Sequence, residues 1–209
     1  MSRWVSFWCK SWLDRCNSLA GLYYRAKGIL LYRWVFQSFG SGSTIARPTL
    51  LSNPQFISIG ERVSIRPGVR LEAVRSAPHR VPDLRIGSGA NIEQNVHIVC
   101  HSRIHIGCNV SITGQCAIVD VTHPYEDVAN PMKIGARILD EDSFVEIGDG
   151  AFLGIGTVVL PNVRIGRGSV TAARSVVTSD IPDYSVAAGA PAKVVRTYDP
   201  ATESWLRVR

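Results

Sequence analysis

From Ile147 an aliphatic side chain returns at every sixth position, through Leu153, Val159 and Ile165, gives way to Thr171, and resumes at Val177. A second series of small or β-branched residues follows four positions later, at Ala151, Thr157, Val163, Ser169, Ser175 and Ile181, with Gly, Asn, Asp and Arg between. A period of six is neither helical nor simple strand alternation, so each hexapeptide reads as a short strand and a turn. The same step appears earlier at Ile86, Ile92, Ile98 and Ile104, and after a two-residue slip at Ile106, Ile112 and Ile118. It also runs through Ile59, Ile65 and Leu71, and through Ile45, Leu51 and Ile57. Three hexapeptides close one triangular turn, and stacked turns form parallel strands about 4.8 Å apart around an aliphatic interior. No turn buries its own core, and a hexapeptide period specifies a parallel β-helix. The spacing leaves the handedness open.

The chain has 209 residues, enough for one domain. The pattern divides it into an N-terminal helical segment (1–42), an all-β prism (43–182) and a closing segment (183–209). Residues 1–50 carry Arg3, Lys10, Arg15, Arg25, Lys27, Arg33 and Arg47 against the single acid Asp14, which accounts for the whole net charge of +6. The β-helix is left close to neutral. The basic segment also holds Trp4, Phe7, Trp8, Trp12, Tyr23, Tyr24, Tyr32, Trp34, Phe36 and Phe39. On a helix, Trp4, Trp8, Trp12, Cys16 and Leu19 share a face opposite Arg3, Lys10, Asp14 and Asn17, with Arg15 intruding on the apolar side. Two readings stand: a helix lying in a membrane interface beside anionic lipid, or aromatics packed on the prism or a neighbouring subunit. Nucleic acid is not the partner this pattern favours.

The run from Gly28 to Phe39 is too short, and too interrupted by Arg33 and Gln37, to span a bilayer. Trp4 to Leu22 lacks the apolar core and cleavage site of a secretion signal. The cysteines, Cys9, Cys16, Cys100, Cys108 and Cys116, contain no C-x-x-C pair and fit a reducing cytosol. Cys116 falls at an inward offset, as a small core residue.

The period fails after His123 and resumes near Val145, leaving a loop, 124–144, with prolines, several acids, Lys133 and Arg137. A loop that long inside a compact repeat is usually functional. The stretch from Arg75 to Leu84, with Pro78 and Pro82, and the slip between Ile104 and Ile106 read as corner adjustments.

The run V-T-H-P at 121–124, the loop, and then I-G-D-G-A-F-L-G-I-G-T-V-V-L-P-N-V-R-I-G resemble the galactoside, maltose and xenobiotic O-acetyltransferases. The match continues through S-V-V-T-S-D-I-P and the closing A-G-A-P-A-K-V-V-R, over the C-terminal two thirds of the chain. The resemblance implies a left-handed parallel β-helix, acetyl-CoA as co-substrate, a saccharide acceptor, and a homotrimer whose active sites lie between subunits. It puts the general base on His123. Glu93 and His101 match positions where the family contacts its sugar, with Asn95 close by. Ala173, Thr178, Lys193 and Arg196 match positions lining the coenzyme A groove. Three residues depart from the pattern: Ile155 replaces a common serine, Arg174 a common glycine and Ser179 a common lysine. Arg174 offsets the lost lysine or is a solvated surface arginine.

Moving an acetyl group from a thioester to an alcohol requires loss of the hydroxyl proton as oxygen attacks carbon, and imidazole suits that task near neutral pH. Within the same fold the acceptor could instead be serine or the amine of a nucleotide sugar, and a non-catalytic scaffold is the reading from another class. A zinc site needs converging ligands. His97, His101 and His105 are scattered by alternation and corners, so no metal is expected. His79, His97 and His105 read as surface or packing residues. The expected location is cytoplasmic, at the inner membrane face if the N-terminal segment binds lipid.

Overall fold

The structure, a computed structural model, describes residues 11–208. Strands follow in triplets, each triplet one coil of a three-sided prism. Coil one holds β1 (Ser38–Phe39), β2 (Thr44–Ile45) and β3 (Leu50–Ser52); coil two holds β4 (Ile57–Ile59), β5 (Ser64–Ile65) and β6 (Arg70–Ala73). Coil three is β7 (Asp83–Ile86), β8 (Asn91–Ile92) and β9 (His97–Cys100), and coil four is β10 (Arg103–Ile106), β11 (Ser111–Ile112) and β12 (Ala117–Val119). Coil five contains β13 (Phe144–Ile147), β14 (Phe152–Leu153) and β15 (Val158–Val159), and coil six β16 (Val163–Ile165), β17 (Val170–Thr171) and β18 (Val176–Val177). The first strands stack as sheet A, the second as sheet B and the third as sheet C, all parallel within the prism. The first strand begins at Ser38, a few residues before the boundary drawn from the repeat.

Register follows the hexapeptide. Leu71, Ile98 and Ile118 stand in line on sheet C, as Leu84, Ile104 and Val145 do on sheet A, and all six are fully buried. Each buried aliphatic contributes about 1.5–3 kcal/mol of transfer free energy. Thr171, where the aliphatic series breaks, keeps its inward position. Its Oγ1 lies 2.9 Å from that of Thr157, which donates to the Gly154 carbonyl at 2.7 Å. The polar pair is satisfied internally, so the period survives the change of chemistry.

The isoleucine–glycine pairs have a steric cause. At the A-to-B corner the chain of one coil crosses directly over the next, and a Cβ on Gly87 would lie 2.5 Å from the carbonyl carbon of Gly107. Only glycine admits that approach.

Ser11 caps helix α1 (Trp12–Lys27), accepting from the Asp14 amide at 3.2 Å. Of the N-terminal aromatics, Trp4, Phe7 and Trp8 lie outside the described residues. One π-helical turn (Gly28–Tyr32) and the short α2 (Arg33–Val35) lead into the prism. Tyr32 and Phe36 are buried, and with Phe39 they form a ring cluster with centroids 5.3, 5.4 and 5.5 Å apart. The cluster joins the prism core and closes its first coil. At the other end β19 (Ser185–Gly189) extends sheet B in parallel, and β20 (Ala192–Asp199) and β21 (Ser204–Arg207) fold back antiparallel.

Gly87→Ala is expected to lower unfolding free energy by about 1–3 kcal/mol through overpacking. Gly21→Ala, on α1 with nothing within 4 Å of the new Cβ, is expected to raise it by about 0.5–1 kcal/mol. Urea titrations of the two variants check this, and the same sign for both would contradict it.

Candidate active site

At the corner from sheet C to sheet A, coil four ends and the chain leaves the prism. His123 stands there exposed, with Nδ1 2.7 Å from the backbone carbonyl of Arg137. A carbonyl only accepts, so Nδ1 carries the hydrogen, and Nε2 of the neutral ring is left as an acceptor.

Arg137 also organises the loop. Its Nε donates to the Met132 carbonyl at 2.8 Å, Nη1 to that of Asp127 at 2.9 Å and Nη2 to that of Asn130 at 2.8 Å. The guanidinium thus gathers three loop carbonyls while its own carbonyl holds the imidazole. The Leu139 amide donates to the Thr122 carbonyl at 3.0 Å, and Ser143 Oγ to that of Asp120 at 2.7 Å, drawing the loop ends together.

Asp120 anchors the corner beneath. Its buried carboxylate accepts the amides of His101, Ser102 and Arg103 at 2.5, 2.8 and 2.7 Å. Burial pushes this carboxyl up from its usual range, and the three amide donors oppose that shift.

His101 is only 1% exposed, with Nε2 2.7 Å from Ser76 Oγ. Burial lowers the pKa of its ring, against the pull of Asp120. It therefore occupies a supporting place under the loop. The turn position that the repeat assigned it is covered by the 75–82 insertion.

That insertion is more than a corner adjustment. Arg80 reaches the loop, donating from Nε to Asp140 at 2.9 Å and pairing with Asp142. His79 Nε2 lies 2.8 Å from the other oxygen of Asp140. The guanidinium beside Asp140 holds its carboxyl below the usual range. The clasp falls three residues beyond Arg137, whose carbonyl holds His123.

The remaining candidates lie elsewhere on the coils. Ala173 and Arg174 are exposed at the B-to-C corner of coil six. Arg174 adopts φ +58°, and its amide donates to the Ile155 carbonyl at 2.8 Å. Below them Gly154 is buried against this coil, where a Cβ would sit 2.6 Å from the Ala173 nitrogen, so only glycine lets the backbones stack at that corner. Asn95, φ +58°, and Glu93, 3.7 Å from the Arg66 guanidinium, occupy the same corner in coil three. Thr178 ends sheet C on the His123 side. Lys193 and Arg196 are exposed on β20, opposite Ala188 and Val186. Within one chain, then, His101 and His123 both belong to the C-to-A corner, while Glu93, Asn95, Ala173 and Arg174 line the opposite edge of sheet C.

Sheet C itself separates the two edges. Its outward residues Ala117, Val119, Val158 and Val176 are apolar and half-buried. Sheet A, in contrast, carries an ion ladder: Asp83 meets Arg85 and His105 at 2.8 Å each, and Glu146 meets Arg103 at 3.1 Å and Arg164 at 2.7 Å. A groove follows sheet A, and His123 is not part of its lining. His97, on the outer face of sheet C, His101, at the corner, and His105, on sheet A, point to three different places.

Arg80→Ala should release the clasp and leave the prism intact. Amide exchange in residues 124–142 is expected to speed up by at least about tenfold, with the coils unaffected. Mass-spectrometric exchange reads this directly, and an unchanged loop would contradict the bracing role.

Residues 144–179 match the family model for bacterial transferase hexapeptide (six repeats). The chain is 30% identical over 198 residues to the putative lipopolysaccharide biosynthesis O-acetyl transferase WbbJ of Escherichia coli, covering 92% of this chain and 96% of that one. It is 29% identical over 188 residues to the galactoside O-acetyltransferase of Escherichia coli, covering 90% and 84%. Among solved structures, a variant of AntD, an N-acyltransferase from Bacillus cereus in complex with dTDP and coenzyme A, superposes with a TM-score of 0.67 at 20% identity, covering 82% and 89%. The prism is the left-handed parallel β-helix that the sequence motifs implied. With a named O-acetyltransferase matched over almost its whole length, the chain belongs to the hexapeptide-repeat acetyltransferase family.

Proposed function

We propose that the protein is an acetyl-CoA-dependent O-acetyltransferase acting on a sugar hydroxyl of a saccharide or glycan precursor, with His123 as general base. The observation that carries this reading is the 2.7 Å contact from His123 Nδ1 to the Arg137 carbonyl, which fixes the tautomer and leaves Nε2 to accept a proton. The names of the two sequence relatives, both O-acetyltransferases, favour oxygen over nitrogen as the acceptor atom.

In this mechanism His123 Nε2 takes the proton from the acceptor hydroxyl as its oxygen bonds to the thioester carbonyl carbon. When the tetrahedral species collapses, the carbon–sulfur bond breaks and the imidazolium returns the proton to the departing thiolate. The Arg137 carbonyl stabilises the ring while it is charged and keeps it aimed. No covalent enzyme intermediate is needed.

The donor fits the B-to-C corner. Ala173 presents only a methyl group at that exposed corner, which leaves room for a slender pantetheine arm, and Arg174, Lys193 and Arg196 offer cations for its phosphates. Thr178, at the far edge of sheet C, lies on the His123 side. Because sheet C parts the two edges, the reading requires neighbouring prisms to pack along it as a homotrimer. His123 of one copy then meets the donor corner of another, and the apolar outward residues of coils four to six supply the contact. Glu93 and Asn95, on that same corner, are the acceptor contacts, with His101 supporting the loop from beneath. Such a donor places the reaction in the cytoplasm.

His123→Ala is expected to lower turnover by about 10²–10⁴-fold with the fold and assembly unchanged. The assay is acetyl-CoA consumption against a panel of sugars, glycolipid precursors, amino-sugar nucleotides and serine. Near-normal turnover in the folded variant would remove His123 from the mechanism. Preference for serine or an amine would move the acceptor assignment while keeping the base.

A further inference from the structure

Among the described residues helix α1 faces solvent along its length. Not one of its side chains is buried, yet Trp12 is 79% exposed and Leu19, Leu22 and Tyr23 are all more than half exposed. Trp12, Leu19 and Tyr23 share one helical face, while Asp14, Asn17 and Arg25 lie opposite. The exposure continues past the helix, where Leu30 is 75% and Trp34 77% accessible. Folded soluble chains rarely leave so much contiguous aromatic and aliphatic surface uncovered unless something binds there.

The charge distribution identifies the occupant. Residues 1–50 carry a net charge equal to the +6 of the whole protein, and Arg25 and Arg33 stay exposed on α1 and the short helix after it. Arg33 lies 5.2 Å from the ring centroid of Trp34, and the Lys27 ammonium 5.0 Å from that of Tyr32. Pairing this face with a second copy would set these cations against their own kind. An anionic bilayer surface satisfies both the apolar and the positive component. No helix among the described residues is long and apolar enough to cross a membrane.

The prism fixes what such docking would present. Tyr32 and Phe36 tie the helix end into the first coil, and sheet C carries β3, β6, β9 and β12 in succession. His123 follows β12, three strand spacings or about 14 Å along the axis from the first coil. That height suits a sugar carried on a membrane lipid.

We propose that α1 and the turn after it dock this enzyme on anionic membrane surfaces and that its acceptor is a lipid-linked saccharide. The second half of this statement rests on the O-acetyltransferase reading. The test uses the full chain in flotation with vesicles of phosphatidylglycerol and phosphatidylcholine, or of phosphatidylcholine alone, at low and high salt. Wild-type protein should float with the anionic vesicles and lose at least about tenfold in bound fraction at high salt or on neutral lipid. W12E/W34E, which alters two exposed rings and no core residue, should lose binding yet keep its assembly state and its turnover of a soluble sugar. An absence of flotation under every condition overturns the docking. So does a change of assembly in the double variant, which would make the patch a subunit contact. Flotation is read without catalysis, so it can fail while sugar acetylation stands, and the reverse. Bound enzyme that acetylates free sugar as well as its glycolipid analogue would overturn the acceptor assignment alone.

Discussion

Parallel stacking of coils in one register is the constraint on which everything else in this protein depends. Within a coil, each position is either inside, where only aliphatic or internally paired side chains are tolerated, or in a ladder beside the same position of the next coil. At the A-to-B corner even a methyl group is excluded where backbones cross at Gly87 and Gly107. Chemistry therefore has to be built where the chain leaves the stack. The two long departures, the 75–82 insertion and the 120–143 loop, both leave at the C-to-A corner.

What makes that corner a candidate site is the way each departure is anchored. Asp120 gathers three amides of the coil below, so the loop springs from a fixed point. Arg137 gathers three carbonyls within the loop, and its own carbonyl sets the His123 ring. Arg80 then ties the loop to an insertion two coils earlier in the chain. The imidazole orientation is set by the Arg137 carbonyl, which the loop in turn holds in place. Such dependence is typical of sites whose reacting group sits on a loop and not on a strand.

Most of the prism was legible because its physics repeats. Six-residue spacing fixed the inward series, and even Thr171 and Cys116 kept their places with altered chemistry. His123 stood out as a candidate because it ends the repeat. The anchors were not, since Arg80, Asp120 and Arg137 act through backbone atoms or across dozens of residues, and no local spacing marks such contacts. One signal was present: counting hexapeptides puts the arginines of the insertion, Arg75 and Arg80, and the acids of the loop at the same corner, and their charges are opposite. His101 shows the same limit. Its position in the repeat is a turn, but the insertion covers that turn and buries the ring.

The proposed mechanism divides labour across sheet C, with the base on one edge and the donor corner on the other, joined only when two copies meet. Mixed assemblies test this most directly. His123→Ala and Ala173→Trp, the second obstructing the exposed B-to-C corner, are each expected to be nearly inactive alone. Co-assembled from equal amounts of both chains, they should regain about a quarter of the wild-type rate, because random association leaves that share of sites with two intact halves. No recovery in verified mixed trimers would mean that each chain carries both halves of its own site, and the shared arrangement would have to be abandoned.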